Sequence, residues 1–137
     1  TGIRVGDIFA LKGESFFREE ERALLEEVST RSACVVSTGG GTIANDVNLR
    51  LVKSTGILIY LKLSEEEIFR RLRRKTDRPM LQSDDGSLIS DEALRGRIHA
   101  LLQQREPFYP QADLTVETDE RRIGLTIDEI VHLLHTR

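Results

Sequence analysis

The chain has 137 residues, a formal net charge of −3 and 31% charged residues, as expected of one ordinary globular domain. No global excess of basic residues indicates nucleic acid or an anionic membrane surface as a partner. No apolar stretch approaches membrane-spanning length, so we expect no membrane contact and a cytoplasmic location. The only cysteine, Cys34, lies in an apolar run and is expected to be a small core residue.

Helical periodicity dominates the first thirty residues. A short helix is predicted from Val5 to Leu11, ended by Gly13, and a longer helix from about residue 14 to 29. Glu21 falls on the apolar face of the longer helix, and Arg18 lies three residues before it. Because an unpaired carboxylate on a buried face is costly, Arg18 is the expected partner of Glu21.

Apolar runs alternate with helical segments in the rest of the chain. Strands of a parallel sheet are predicted at residues 33–37, 57–61 and 114–116. Helices are predicted at 45–56, 64–74, 91–105 and from 126 onward. Capping boxes are expected to open two of them, with Ser64 and Glu67 in one and Thr126 and Glu129 in the other. This alternation predicts an α/β fold with a doubly wound sheet.

Three consecutive glycines, Gly39, Gly40 and Gly41, stand between the first predicted strand and the next helix. A backbone without Cβ atoms lets another group approach its amides closely, so the run indicates a binding loop. On the glycines alone, a flexible turn is the alternative interpretation.

Positive charge is concentrated near the end of the helix predicted at 64–74. The six cations are Arg70, Arg71, Arg73, Arg74, Lys75 and Arg78. A favourable interaction with the helix dipole accounts for some of them, but Arg78 precedes Pro79 in a predicted loop and suits a polyphosphate ligand. Arg18 and Arg105 offer the planar forks that bidentate carboxylate recognition requires, although an ion pair and a helix end would also explain them.

No metal-binding pattern is found in the sequence. His99 stands alone on a predicted helix, and His132 and His135 have no cysteine or carboxylate cluster at ligand spacing. We expect all three histidines on the surface and no metal ligand in this chain.

The order of these features resembles shikimate kinase. The resemblance rests on five segments in register along the chain: Asp7-Ile8-Phe9, Gly13-Glu14-x-x-Phe17-Arg18-x-x-Glu21, Ser37-Thr38-Gly39-Gly40-Gly41, Arg78-Pro79-Met80-Leu81, and Arg105-x-Pro107-x-Tyr109 followed by Ala112-Asp113. It implies a P-loop kinase fold with three α/β/α layers, a parallel sheet and a mobile lid at about 75–90. It also implies one domain over 1–137, with a shikimate-binding helix at 1–30 and a Gly-rich loop at 37–42.

The resemblance further implies ATP-dependent phosphorylation of the 3-hydroxyl of shikimate, on the route to chorismate and the aromatic amino acids. Arg18 and Arg105 would bind the shikimate carboxylate, Glu21 would hold Arg18, and the Gly40 amide would meet the ligand between Gly39 and Gly41. The pocket would be lined by Val5, Phe9, Phe17, Pro79 and Met80. Arg78 would act on the transferring phosphoryl group, with Arg71 and Arg122 near the adenine. Shikimate and ATP are the expected partners of a monomer.

One family feature is not found in the 137 residues. They contain no G-x-x-x-x-G-K-[ST] phosphate loop, so we expect the strand, P-loop, helix and strand that carry it, and the Mg²⁺ ligands, to be absent from this chain. We expect the chain to be part of a longer kinase and inactive alone. The alternatives are a degenerate shikimate-binding homologue and a related small-molecule kinase, such as a gluconate kinase.

Overall fold

A computed structural model describes residues 5–74, 89–119 and 122–136. The chain divides into two compact units, Thr1–Ile57 and Leu58–Arg137. Each unit has its own packing.

Three helices form the first unit. Helix α1 spans Val5–Ser29, α2 spans Gly40–Ile43 and α3 spans Asp46–Thr55. Gly13 interrupts α1 with a φ of 80° and a ψ of 172°, which confirms the predicted break between two helical segments. The three helices pack on one another, and the side chains that they bury include Ile8, Leu25, Ile43 and Leu49.

The second unit contains a parallel two-stranded sheet. Strand β1 spans Ile59–Lys62 and β2 spans Leu114–Glu117, with Ile59 opposite Leu114. Helices α4, Glu65–Arg73, and α5, Asp91–Arg105, lie between the strands in sequence, and α6, Ile123–His135, follows β2. Parallel strands joined through helices confirm the predicted α/β class.

The core of the second unit is built between α4 and α5. Leu94 is fully buried, and Leu72, Ile89 and Ile98 surround it. The four-residue spacing of Leu94 and Ile98 places both on one face of α5.

Polar side chains cap α3 and α4. The Asn45 side chain accepts hydrogen bonds from the backbone of Val47 and Asn48 at 2.9 and 3.2 Å and caps α3. Ser64 caps α4 by accepting from the Glu67 amide at 3.3 Å. The reciprocal half of this capping box is missing, because the Ser64 amide donates to Asp119 instead.

The strand predicted at 33–37 is wrong: none of these residues is in a strand. A strand needs a neighbour that pairs with its backbone groups, and within the described residues the sheet contains only β1 and β2. Ala33 also has a φ of 52°, which turns the chain where the extended run should begin. Cys34 is therefore an exposed free cysteine and not a core residue.

Two further boundaries differ from the prediction. The strand predicted at 57–61 begins at Ile59, and it is not fully buried, because Leu61 is 52% exposed. The last helix begins at Ile123, before the capping box predicted at Thr126, and Arg122 precedes it without a side-chain cap. Thr126 is instead a buried residue inside this helix.

Candidate functional site

Arg18 is held between two carboxylates of its own helix. Its Nη1 donates to Glu21 Oε2 at 2.7 Å, and its Nε and Nη2 donate to Glu14 Oε1 at 3.3 and 3.1 Å. The contact with Glu21 confirms the ion pair predicted from their spacing. Glu14, four residues before Arg18, also lies at ion-pair spacing but was not predicted as its partner.

The two carboxylates differ in exposure. The side chain of Glu21 is 18% exposed, whereas that of Glu14 is 67% exposed. Burial alone would lower the pKa of Arg18, but hydrogen bonds and Coulomb attraction from Glu21 and Glu14 together raise it. Arg18 is therefore a permanent cation, and Glu21 is its less solvated partner.

Donor groups remain on Arg18 for a ligand. A guanidinium has five N–H groups, and the three bonds to Glu14 and Glu21 each use one. Within the described residues this leaves one N–H on each terminal nitrogen, and the side chain is 41% exposed. The donor count therefore allows an anion to bind Arg18 without displacing either carboxylate.

The glycine run lies against this guanidinium. A Cβ on Gly41 would stand 3.0 Å from Arg18 Nη1 and 3.1 Å from Nη2, closer than side chains tolerate without moving. A Cβ on Gly39 would meet Thr42 Oγ1 at 3.5 Å, an ordinary contact. The sequence predicted that some group approaches this loop closely, and Arg18 is such a group.

Thr42 joins the loop to the same carboxylate. Its hydroxyl donates to Glu21 Oε1 at 2.5 Å, and the residue is 4% exposed. Thr42 was missed at the sequence level, because two residues 21 positions apart carry no spacing signal. Asn48, on α3, donates from Nδ2 to the Thr42 carbonyl at 2.9 Å, while its own Oδ1 is buried without a partner.

Phe17 completes the described part of this group. Its ring centroid lies 5.3 Å from Arg18 Cζ, within the range of a cation–π contact. Gly40 opens α2. The side chains of Val5 and Phe9 lie outside the described part of the chain.

Arg105 belongs to the second unit, at the end of α5. Its Nη1 donates to the Tyr109 hydroxyl at 3.3 Å. The Tyr109 ring lies 4.7 Å from that of Tyr60 on β1, centroid to centroid. Burial first, and then the neighbouring Tyr109, raise the pKa of Tyr60, so this phenol stays neutral at physiological pH. The pair gives Arg105 a fixed neighbour in its own unit.

Much of the basic cluster has anionic partners inside the second unit. Arg70 and Arg71 both bind Glu67, with Nε–oxygen distances of 2.7 and 2.6 Å, and Arg73 pairs with Asp91. These bonds, that from Arg71 foremost, lower the pKa of Glu67 against the opposing effect of its desolvation. Repulsion among these arginines is thus relieved without a bound ligand.

The arginines predicted near ATP have different surroundings. Arg71 also donates to the carbonyl of Thr118 at 3.2 Å, which ties α4 to the end of β2. Arg122 is exposed and precedes α6. Arg78, Pro79 and Met80 lie outside the described residues, as does most of the predicted lid at 75–90.

Metal ligands are not grouped in the described ranges. Among residues 5–74, 89–119 and 122–136, no three or more His, Cys, Asp or Glu side chains are placed to hold a metal ion. His99, His132 and His135 are exposed, as predicted, and His99 contacts Glu65 at 3.0 Å. No helix in these ranges is long and apolar enough to cross a membrane.

The family model described as shikimate kinase matches residues 1–135 of the chain. The shikimate kinase of Chlorobaculum parvum is 43% identical over 130 residues, which cover 95% of this chain and 70% of the relative. The shikimate kinase of Chlorobium phaeobacteroides is 44% identical over 123 residues. The chain spans 62% of the length of that second relative.

Solved structures give the same comparison. The shikimate kinase of Bacteroides thetaiotaomicron matches with a TM-score of 0.85 and 35% identity, over 96% of this chain and 74% of its own. The shikimate kinase of Acinetobacter baumannii, solved in complex with shikimate, matches with a TM-score of 0.82 and 30% identity, over 99% of this chain and 73% of its own.

Proposed function

Because the chain belongs to the shikimate kinase family, we propose that the protein transfers the γ-phosphoryl group of ATP to the 3-hydroxyl of shikimate. The product is shikimate 3-phosphate, used in the synthesis of chorismate and the aromatic amino acids. At the level of residues, the proposal rests on the Arg18 guanidinium, which Glu21 holds against Gly41 and which keeps two N–H groups unused by any described residue.

Shikimate is a carboxylate, and the proposed role of Arg18 is to bind that carboxylate. Charge-assisted hydrogen bonds from a guanidinium are among the stronger polar contacts in proteins. Glu21 restrains the side chain before the substrate arrives, which lowers the entropy lost on binding. A clamp held in this way favours an acid over a neutral polyol of similar size.

Arg105 is proposed as the second arginine of the clamp. Its contact with Tyr109 limits the directions that the guanidinium can take. The Gly40 amide is proposed to donate to the substrate, between Gly39 and Gly41. The remaining pocket residues in the proposal are Phe9, Phe17, Pro79, Val5 and Met80.

The phosphoryl-transfer side of the proposal rests on arginines. Arg78 is proposed to stabilise the charge that spreads over the transferring phosphoryl group. Arg71 and Arg122 are proposed as neighbours of the adenine. Mg²⁺ bound with ATP would neutralise part of the phosphate charge.

We propose a cytoplasmic location, where ATP and the other substrate would be available to the site. We also propose that the protein acts as a monomer. Sedimentation or light scattering of the natural protein tests this state. A monomer should give a single mass, that of one chain, which does not change with protein concentration.

Phosphorylation by the full-length natural protein tests the proposal directly. ADP release is followed with ATP and Mg²⁺ and with either shikimate or gluconate as acceptor, and the product is identified by ³¹P NMR. We expect shikimate-dependent ADP release and a phosphate monoester on the 3-oxygen. Turnover with gluconate alone would indicate the related small-molecule kinase, and shikimate binding without turnover would indicate a degenerate homologue.

The role of Arg78 has its own test. Because a contact to the transferring group strengthens in the transition state, Arg78→Ala should lower kcat by more than it raises the KM for shikimate. The matched control is Arg97→Ala, on α5, which should leave kcat near the wild-type value. A rise in the KM for shikimate at unchanged kcat would overturn the assignment of Arg78.

A further inference from the structure

Thr42 is a buried hydroxyl residue that contacts the partner of Arg18 and not Arg18 itself. Its Oγ1 donates to Glu21 Oε1 at 2.5 Å, while Glu21 Oε2 accepts from Arg18 Nη1 at 2.7 Å. The two oxygens of one carboxylate therefore have different partners. One oxygen is bound to the Gly-rich loop and the other to the clamp arginine.

The backbone of Thr42 is hydrogen-bonded at both its amide and its carbonyl, which fixes the position of its hydroxyl group. Its amide donates to the Gly39 carbonyl at 3.0 Å, and its own carbonyl accepts from Asn48 Nδ2 at 2.9 Å. Thr42 is 4% exposed, so water does not readily replace the bond to Glu21. The donor position is consequently a property of the loop and not of a freely rotating surface side chain.

Carboxylate rotation is what this bond restrains. A glutamate on a helix can turn about its terminal torsion with little cost, which would change the oxygen and the angle offered to Arg18. With Oε1 bound to Thr42, Oε2 faces Nη1. The neighbouring Gly41 backbone limits the guanidinium on another side, because a Cβ there would stand 3.0 Å from Nη1.

We infer that Thr42 is a positioning residue for substrate binding, which acts on Arg18 through Glu21. The inference rests on the proposed function, since it takes Arg18 as the group that binds the substrate carboxylate. It predicts that the hydroxyl of Thr42 affects shikimate binding and leaves ATP binding unaffected. The loop then contributes to acid recognition through a side chain as well as through its glycines.

Steady-state kinetics of Thr42→Val and Thr42→Ser in the full-length natural protein test the inference. Valine keeps the shape and removes the donor, whereas serine keeps the donor. We expect Thr42→Val to raise the KM for shikimate about tenfold, the size of one charge-assisted hydrogen bond. Thr42→Ser should stay within about twofold of wild type, and the KM for ATP should change by less than about twofold in both variants.

Measuring Thr42→Val in a protein that already carries Arg18→Ala separates a positioning role from general damage to the fold. If Thr42 acts only through Arg18, adding Thr42→Val to an Arg18→Ala protein should change the KM for shikimate by less than about twofold. A full tenfold effect in that background would overturn the inference. So would equal KM values for Thr42→Val and wild type, or a parallel rise in the KM values for shikimate and ATP.

Folding of the variants is checked by circular dichroism. If Thr42→Val does not fold, Thr42→Cys replaces it, since a thiol is a weak donor of similar size, and a KM above that of Thr42→Ser is expected. The wild type is measured first. Absence of shikimate phosphorylation by the wild type contradicts the proposed function, whereas normal turnover with an unaffected Thr42→Val contradicts only the role of Thr42.

Discussion

At the scale of single residues, the guanidinium of Arg18 is restrained on several sides. Glu21 and Glu14 accept its hydrogen bonds. The Phe17 ring centroid lies 5.3 Å from its Cζ, and the missing side chain of Gly41 leaves room for it. Each contact limits a different motion of a side chain that would otherwise lose much rotamer entropy on binding a substrate.

The first prediction concerns Arg18, the proposed clamp arginine. Arg18→Ala should raise the KM for shikimate about 10- to 100-fold, because a hydrogen-bonded charge pair contributes roughly 1.5–3 kcal/mol. Arg105→Ala should act in the same direction. The control is Arg22→Ala, which removes an exposed arginine of the same helix that pairs with Glu26 at 2.9 Å. Steady-state kinetics that show equal KM values for Arg18→Ala and Arg22→Ala would contradict the clamp.

The second prediction concerns the space that Gly41 leaves for the Arg18 guanidinium. Gly41→Ala should raise the KM for shikimate several-fold, because the added methyl group would stand 3.0 Å from Arg18 Nη1 and displace the guanidinium. Gly124→Ala is the matched control, since a Cβ there has no neighbour within 4 Å. The same kinetic assay measures both variants, and an unchanged KM in Gly41→Ala would show that the arginine adapts without cost.

At the scale of elements, helix ends follow local chemistry closely. The Asn45 side chain accepts two backbone amides at the start of α3, a position at which asparagine is a preferred cap. The capping box at Ser64 is realised only in part, because Glu67 binds Arg70 and Arg71 instead of the Ser64 amide. Ion pairs within the same helix thus compete with the capping motif for the same carboxylate.

The cap of α3 can be tested on its own. Asn45→Ala should lower the free energy of unfolding by about 1 kcal/mol, whereas Asn45→Asp, which keeps an acceptor at that position, should change it by less. Urea unfolding followed by circular dichroism measures both. Equal losses in the two variants would mean that the side-chain oxygen contributes nothing to the start of the helix.

Two glycines with equally open surroundings should respond to alanine with opposite signs. A Cβ on Gly13 or on Gly96 meets no atom within 4 Å, but Gly13 has a φ of 80° at the break of α1 and Gly96 lies inside α5. Gly13→Ala should destabilise by about 1–3 kcal/mol through backbone strain. Gly96→Ala should stabilise by about 0.5–1 kcal/mol through helix propensity. Thermal unfolding measures both, and stabilisation by Gly13→Ala would contradict the conformation assigned to that glycine.

At the scale of the whole molecule, the sequence predicts periodic helices better than strands. Local sequence signals predict the break at Gly13, the extent of α5 and the Arg18–Glu21 pair, because each depends on residues close in sequence. The segment at 33–37 has the composition of a buried strand, yet strand formation depends on a partner that composition does not reveal. The Thr42–Glu21 bond was likewise missed, since it depends on how α2 packs against α1.

Membership of the family indicates a function that the contacts between neighbouring residues do not indicate by themselves. The resemblance to shikimate kinase, first drawn from five short segments, is confirmed by a family model over residues 1–135. The residue roles remain predictions. Arg18 and Glu21 adjoin Gly41, Arg105 adjoins Tyr109, and Arg71 is engaged by Glu67 and Thr118 within its own unit.

The central claim is that Arg18 recognises the carboxylate of shikimate. Its most direct test is the affinity of wild-type and Arg18→Ala proteins, in full-length form, for shikimate and for the neutral shikimate amide, measured by isothermal titration calorimetry. We predict that the wild type prefers shikimate by about tenfold or more, and that Arg18→Ala loses most of this preference. An undiminished preference for the acid in Arg18→Ala would contradict the claim.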